Sequence, residues 1–178
     1  MRIAQSADFL ESVANHPQVK PWMGEDGGPE RIELAALMGE GIGFEFDTGG
    51  WFLHGLGDGV YEAHTLFLPG SKDVLTKCLD VIRLLFCGTD CTRIVTKVPA
   101  DNIAADRLTL KAGFRLDHEQ PDAYLRGGVR HAVRYYSLAL DDWMRGVGPR
   151  QFATVCADLG NEEKGRRALR RWAVMHHD

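Results

Sequence analysis

The order of strand and helix patterns between residues 41 and 114 constrains the fold more than any other feature of the sequence. Three segments rich in aromatic and β-branched residues come first: "IGFEFD", "WFLHGLG" and "VYEAHTLFL". Polar, glycine-containing turns separate them at residues 47–50 and 57–59. Short turns between such segments predict three consecutive antiparallel strands.

A helical pattern then replaces the strand pattern. Apolar residues recur over residues 75–86 at spacings of three and four, which predicts an amphipathic helix capped by Ser71. "RIVTKVPA" follows as a strand, and "DNIAADRLTLKAGF" as a helix that Asn102 or Asp101 caps and Gly113 ends. A strand–helix–strand unit of this length makes its two strands parallel.

Two further strands, "AYLRG" and "HAVRYYSLAL", form a predicted hairpin. The fold class is therefore α/β of the α+β type, with a mixed, mostly antiparallel sheet and helices on both faces. Two early helices, at residues 6–13 and 30–38, flank the loop "NHPQVKPWMGEDGGPE".

The residues after the last strand predict a helical extension. Helix patterns lie near residues 151–157 and 161–175. We expect one domain over residues 1–143 and an extension over residues 144–178 that packs on it or projects from it.

Charge and composition disfavour several classes of protein. The net charge of −4 argues against a nucleic-acid binder. The last helix carries several arginines, but its early Glu162 and Glu163 favour a solvent-exposed face. No apolar run reaches the ~20 residues of a membrane span, and the first residues do not resemble a signal peptide. We therefore expect a cytoplasmic protein without a membrane partner.

The four cysteines do not predict a metal site. Cys87 and Cys91 have a CxxxC spacing, but no second pair of ligands lies near them in sequence. Reduced cysteines in an apolar setting are the preferred interpretation.

Three motifs in this order resemble the GNAT acyltransferase superfamily. They are the strand and turn "VYEAHTLFLPG", the strand end and helix "VPADNIAADRLTLKAGF", and the closing strand "HAVRYYSLALDDW". The resemblance covers roughly residues 31–143. The segment "HPQVKPWMG" is also similar to superfamily members found in phages and prophages. The resemblance implies acetyl-CoA as cosubstrate, a small-molecule or peptide amine as acceptor, and leaves a homodimer open.

The turn "LPGSKDVL" is the predicted cofactor cradle, because a helix N-terminus behind a small-residue turn exposes amides to an anion. The family's loop is usually richer in glycine, and Asp73 stands where a second glycine is common. An ordinary turn with a serine cap is the alternative. In the family, the preceding strand donates an amide to the thioester carbonyl, and an Asn at the next helix start lies near the pantetheine arm. The expected cofactor-binding residues are Leu66, Phe67, Leu68, Gly70, Ser71, Lys72, Asp73, Val74, Asn102 and Ala105.

The acceptor amine must lose a proton, and Glu62 and His64 are the candidate bases. They are two residues apart on one strand, so they point to the same face. In many family members a tyrosine precedes the Gly-Phe pair by four residues; here that residue is Thr109. Tyr124, Tyr135 or Tyr136 of the last strands could replace it as the acid for the leaving thiolate, and Tyr135 is the candidate chosen. The alternatives are that the thiolate takes its proton from water or that catalysis is weak or absent.

The sequence is compatible with three functions. The leading one is an acetyl-CoA-dependent N-acyltransferase that works by direct attack in a ternary complex. The second is a catalytically weak or inactive binding protein that keeps the acyltransferase fold. The third is a nucleic-acid adaptor that uses the arginine-rich tail, which the net charge disfavours.

Overall fold

The computed structural model describes residues 1–38 and 41–175, and its centre is one seven-stranded sheet. The strands are β1 (Arg2–Ile3), β2 (Gly41–Phe46), β3 (Gly49–Gly57), β4 (Val60–Phe67), β5 (Arg93–Pro99), β6 (Arg115–Arg126) and β7 (Val129–Ala139). Their order across the sheet is β1-β2-β3-β4-β5-β7-β6. Among the strands of residues 1–38 and 41–175, only β4 and β5 pair in parallel. This confirms the mixed, mostly antiparallel sheet, including the three-strand meander and the final hairpin.

Seven α-helices and one short 3-10 helix accompany the sheet in the described part of the chain. The α-helices are α1 (Asp8–Ala14), α2 (Ala35–Met38), α3 (Val74–Gly88), α4 (Ile103–Lys111), α5 (Leu140–Val147), α6 (Pro149–Asp158) and α7 (Glu162–Met175). The 3-10 helix spans Lys20–Trp22. None of these helices is both long and apolar enough to cross a membrane.

Two apolar clusters divide the helices between the faces of the sheet. The smaller one lies under α1, where Leu10 and Val13 pack on Phe52 and Leu66. The larger one lies under α3 and α4 on the opposite face, and includes Phe86. We refer to these as the α1 face and the α3 face. Side chains of a strand alternate between them because successive residues point to opposite sides of a sheet.

The predicted second helix is wrong over its first five residues, since α2 begins only at Ala35. Two side chains at the end of α1, those of Glu11 and Asn15, bond the backbone just before and at the start of α2 and keep residues 30–34 out of the helix. Asn15 bonds both the N–H and the C=O of Ile32, at 2.8 Å each. The buried Glu11 carboxylate accepts the amides of Leu34 and Ala35 at 2.8 Å, and these bonds lower its pKa. Residues 39–40, between α2 and β2, lie outside the described residues.

The first helix starts later than predicted, and β6 starts earlier. The N-cap of α1 is Ala7, without a side-chain cap, while Ser6 donates to the Asp8 carboxylate instead. Strand β6 begins eight residues before "AYLRG", because residues 115–122 lie exposed at the edge of the sheet. An edge strand that faces solvent on both sides needs no apolar alternation, so the sequence pattern did not reveal it.

The C-terminal helices pack on the α3 face. Met144, Phe152, Cys156 and Ala168 belong to the same buried cluster as the side chains of α3. The Trp143 ring contacts Phe86 and Phe152, with centroids 5.3 and 5.9 Å apart. Residues 144–175 therefore cover α3 from outside.

Candidate functional site

Strands β4 and β5 separate after a short parallel pairing. Their register runs through only three pairs, the last being Glu62 with Val95. Beyond that pair, a side-chain hydrogen bond takes the place of backbone hydrogen bonds between the strands. The Thr96 hydroxyl donates to the Ala63 carbonyl at 2.9 Å. The sheet is therefore open between two adjacent strands near its middle.

A small cavity of about 20 Å³ lies at this opening, which is room for about one water molecule. Residues of β4, β5, α3 and α4 line it on the α3 face. Three of them are threonines whose hydroxyls can bond a polar ligand: Thr65, Thr96 and Thr109. Thr109 thus lies beside the opening, at the residue where many family members have a tyrosine.

The turn between β4 and α3 presents unoccupied amides. No backbone or side-chain acceptor within the described ranges bonds the N–H groups of residues 72–76. Gly70 has a φ of 80°, and a Cβ built on it would meet no atom within 4 Å. The Gly70 surface is therefore open, and the amides behind it are available to an anion.

Two details of this turn differ from the sequence-based expectation. Asp73, rather than Ser71, is the N-cap of α3, and it has a left-handed backbone with φ 55°. The Ser71 hydroxyl donates instead to the Leu68 carbonyl at 2.6 Å. The Leu68 amide donates to the Thr48 carbonyl at 2.9 Å, so it is not free to bind a thioester. Leu66 and Phe67 lie within β4.

Lysine side chains add positive charge to the turn. Lys72 is exposed, and Lys77 lies one helical turn into α3. The Lys77 ammonium sits over the rings of Phe46 and Phe67 and donates to the Lys72 carbonyl at 3.0 Å. Lys77 was not among the residues predicted from the sequence, although it lies near the start of the predicted helix.

Asn102 caps α4, as predicted. Its Oδ1 accepts the Ala105 amide at 3.1 Å. Its Nδ2 has no acceptor in the part of the chain that the structure describes. Gly113 ends the helix region with a φ of 95°, and Phe114 is buried behind it. The cap leaves one polar group of Asn102 available to a ligand.

Glu62 and His64 both lie on the α1 face. His64 lies opposite Phe52 in the β3–β4 pair, and the two rings are stacked with their centroids 6.1 Å apart. Glu62 pairs with His54 across the strands and lies 3.0 Å from the Lys97 ammonium. Burial lowers the pKa of His64, while Glu62 opposes that shift. His64 is therefore neutral at pH 7 and can accept a proton.

Tyr135 lies on the same face, opposite Lys97 in the β5–β7 pair. Its hydroxyl donates to Gln120 Oε1 at 3.0 Å, and its ring stacks on His118 at 4.3 Å. Its neighbour Tyr136 points to the α3 face, where it bonds the Asp106 carboxylate. Burial, reinforced by Asp106, raises the pKa of Tyr136 to about 12, so this residue is a structural group rather than a proton donor.

The loop after α1 contacts the turn between β6 and β7. The Asp26 carboxylate accepts the amides of Gly127 and Gly128, at 3.0 and 2.8 Å. The Arg126 guanidinium lies 3.9 Å from the centre of the Trp22 ring. We call these contacts the loop–hairpin latch. The latch joins residues about a hundred positions apart, so no local sequence pattern could reveal it.

The four cysteines are free and buried. Burial raises the pKa of Cys78 and Cys91 to about 11 and that of Cys87 to about 12. Such thiols are weak nucleophiles and poor metal ligands at neutral pH. No group of three or more His, Cys, Asp or Glu side chains in residues 1–38 and 41–175 is arranged to hold a metal ion.

No family model matches the sequence, and no curated protein matches it well enough to count as a relative. Solved structures do match its architecture. A spermidine N-acetyltransferase from Vibrio cholerae, in complex with CoA and spermine, aligns with a TM-score of 0.67 and 13% identity, over 80% of this chain and 96% of its own. A GNAT-family acetyltransferase from Bacillus anthracis aligns with a TM-score of 0.61 and 15% identity, over 78% and 94%. The chain has a GNAT-like fold.

A third structure, a probable acetyltransferase, supports the same GNAT-like fold, with a TM-score of 0.60 and 18% identity over 77% of this chain and 89% of its own. At these identities the likeness establishes architecture alone. None of the three is described as a phage protein, so the similarity of "HPQVKPWMG" to phage-associated members gains no support from them.

Proposed function

We propose that this chain is an acetyl-CoA-dependent N-acetyltransferase that acts on a small primary amine. The observation that carries the proposal is the opening between β4 and β5 beside the free amides of residues 72–76. Acetyl-transfer chemistry needs both features in one place, a cradle for a diphosphate and a gap in which a thioester can lie. The GNAT-like neighbour from Vibrio cholerae contains CoA and spermine, which supports this donor and this class of acceptor.

In this proposal the diphosphate of the donor binds the amides of residues 72–76, with Lys72 and Lys77 supplying charge. Gly70 allows close approach of the ligand, since its surface is open. Asn102 Nδ2 bonds the pantetheine arm while Oδ1 continues to cap α4. The backbone N–H of Phe67 stabilises the oxyanion, an effect worth about 3 kcal/mol in the transition state. Successive amides of a strand point to opposite sides, so those of Leu66 and Leu68 face β3 whereas that of Phe67 faces the gap.

Proton transfer takes place on the α1 face. Glu62 removes a proton from the acceptor ammonium, with neutral His64 beside it as a second acceptor. The amine attacks the thioester directly, in a ternary complex. Tyr135 or solvent returns a proton to the departing sulfur. Glu62→Gln is therefore expected to lower turnover more than it changes donor affinity.

Calorimetric titration with acetyl-CoA tests the proposal, using Gly70→Leu and a matched control, Gly160→Leu. Both glycines have a positive φ, 80° and 74°, and open space at the Cβ position. The two substitutions impose similar backbone strain, but only Gly70 faces the cradle. We expect the natural chain and Gly160→Leu to bind the donor and Gly70→Leu to lose binding while remaining folded by circular dichroism. Absence of binding by the natural chain at millimolar donor would favour the non-catalytic alternative.

A further inference from the structure

Lys97 spans the opening between the two separated strands. It follows Val95, the last β5 residue paired with β4, by two positions, so it lies on the same face as Glu62. Its Nζ is 3.0 Å from Glu62 Oε1 on the other strand. The side chain therefore reaches from β5 back to β4, across the edge of the gap.

A contribution to stability does not account well for this ion pair. The Lys97 side chain is 53% exposed, whereas that of Glu62 is 15% exposed. A pair with one solvent-exposed partner contributes about 1 kcal/mol or less. Lys97 also belongs to the chemical class of the acceptor, because it is a primary amine on a flexible four-carbon stem. It occupies the place beside the base that an acceptor ammonium would take.

We propose that Lys97 is a self-acetylation site, modified in cis by the donor bound to the same chain when no free amine is present. This inference rests on the proposed function, because it uses the same donor and the same base. Glu62 takes one proton from the Lys97 ammonium and releases it to solvent. The amine nitrogen then bonds to the acetyl carbon, the carbon–sulfur bond breaks, and the second proton from nitrogen ends on the departing sulfur. The products are the acetylated chain, the free thiol of CoA and one proton.

Acetylation changes the charge that an acceptor meets. The resulting amide is neutral, so Glu62 loses its neighbouring cation. A cationic amine then approaches a carboxylate that no longer has a charged competitor.

The test incubates the full chain with acetyl-CoA without an amine and measures acetyl occupancy at each lysine by peptide mass spectrometry. Lys72 and Lys77, beside the cradle, and the exposed Lys111 are internal references for spontaneous acetylation. We expect Lys97 to react at least about tenfold faster than each reference, because it is held beside the base. The rate should not depend on protein concentration, and added spermidine should slow it.

Two variants sharpen the result. Glu62→Gln should lower Lys97 acetylation about 100-fold or more while donor binding by calorimetry stays unchanged. Lys97→Arg keeps the ion pair and the fold but should gain no acetyl group at this position.

Three outcomes would overturn the inference. Lys97 acetylation no faster than that of Lys111, in a chain that binds the donor and acetylates a free amine, refutes self-acetylation and leaves the proposed function standing. A rate that rises with protein concentration refutes the reaction in cis. Failure of the natural chain to bind the donor refutes both proposals.

Discussion

Asp73 occupies a backbone conformation that glycine adopts at little cost. Its φ is 55°, in the left-handed region, at the position where the resemblance leads one to expect a second glycine. Aspartate is among the few other residues that tolerate this region, so the turn keeps its shape despite the substitution. What differs is the charge, since a carboxylate now stands next to the proposed diphosphate cradle.

Asp73→Gly should therefore tighten acetyl-CoA binding. Removal of a like charge a few ångströms from a phosphate is worth about 1 kcal/mol in water, or about fivefold in Kd. Calorimetry measures the change. Asp58→Gly is the matched control. Asp58 has a φ of 50° in the β3–β4 turn, so its replacement by glycine relieves similar backbone strain at a different turn from the cradle. An equal gain in affinity in both variants would show that backbone relief, not charge, is responsible.

At the scale of elements, helix α7 is attached through a half-buried lysine. The Lys164 ammonium donates to the carbonyls of Thr89 and Cys91, the latter at 3.0 Å. Burial lowers the pKa of Lys164. Lys164 is thus a packing contact, unlike the exposed arginines of the same helix. Three of the arginines pair with acidic neighbours: Arg166 with Glu162, Arg170 with Glu163 and Arg171 with Asp141. These pairs leave less uncompensated positive charge for the nucleic-acid alternative.

Lys164→Met should destabilise the chain, because two carbonyls between α3 and β5 lose their donor. The expected loss is about 1–3 kcal/mol in the free energy of unfolding, measured in urea. Arg167→Met removes an exposed charge from the same helix and should stay within about 0.5 kcal/mol of the natural chain. Similar losses in both variants would mean that the helix, and not the lysine contact, controls stability.

Elements whose apolar residues recur at a regular spacing were predictable from the sequence. Elements whose position depends on contacts with residues far away in the sequence were not. Helix α3 and strands β2 to β4 were found because alternating or helical apolar spacing reflects burial on one face. Helix α2 was placed too early because side chains of Asn15 and Glu11 fix the backbone before it. Strand β6 lacked an apolar pattern because its first eight residues are exposed. The order of elements predicted the turn that we propose as the cradle and the strand that carries the proposed base, whereas the Lys97 contact and the loop–hairpin latch join segments far apart in sequence.

At the scale of the whole molecule, the structure bears on whether the expected C-terminal extension folds as a separate unit. Phe152 of α6 is fully buried within the cluster that contains Phe86 of α3. A shared core couples the unfolding of the parts that build it. We therefore infer that residues 144–175 unfold together with the sheet, although they follow its last strand.

Phe152→Ala tests this inference. The cavity left in the shared core should cost about 3–5 kcal/mol, in a single transition that moves to lower urea concentration as a whole. Leu159→Ala, at a 43%-exposed side chain just after α6, should change little and serves as the control. An early, separate transition that leaves the sheet unaffected would assign the last helices to an independent unit.

The opening between β4 and β5 has a kinetic consequence. In the proposed reaction, donor and acceptor reach the same gap from opposite sides of the sheet, the donor from the α3 face and the amine from the α1 face, where Glu62 lies. Neither molecule blocks the other's entrance, so neither must depart before its counterpart arrives. A steady-state rate law with intersecting reciprocal lines, rather than parallel ones, is the signature of such a two-sided slot.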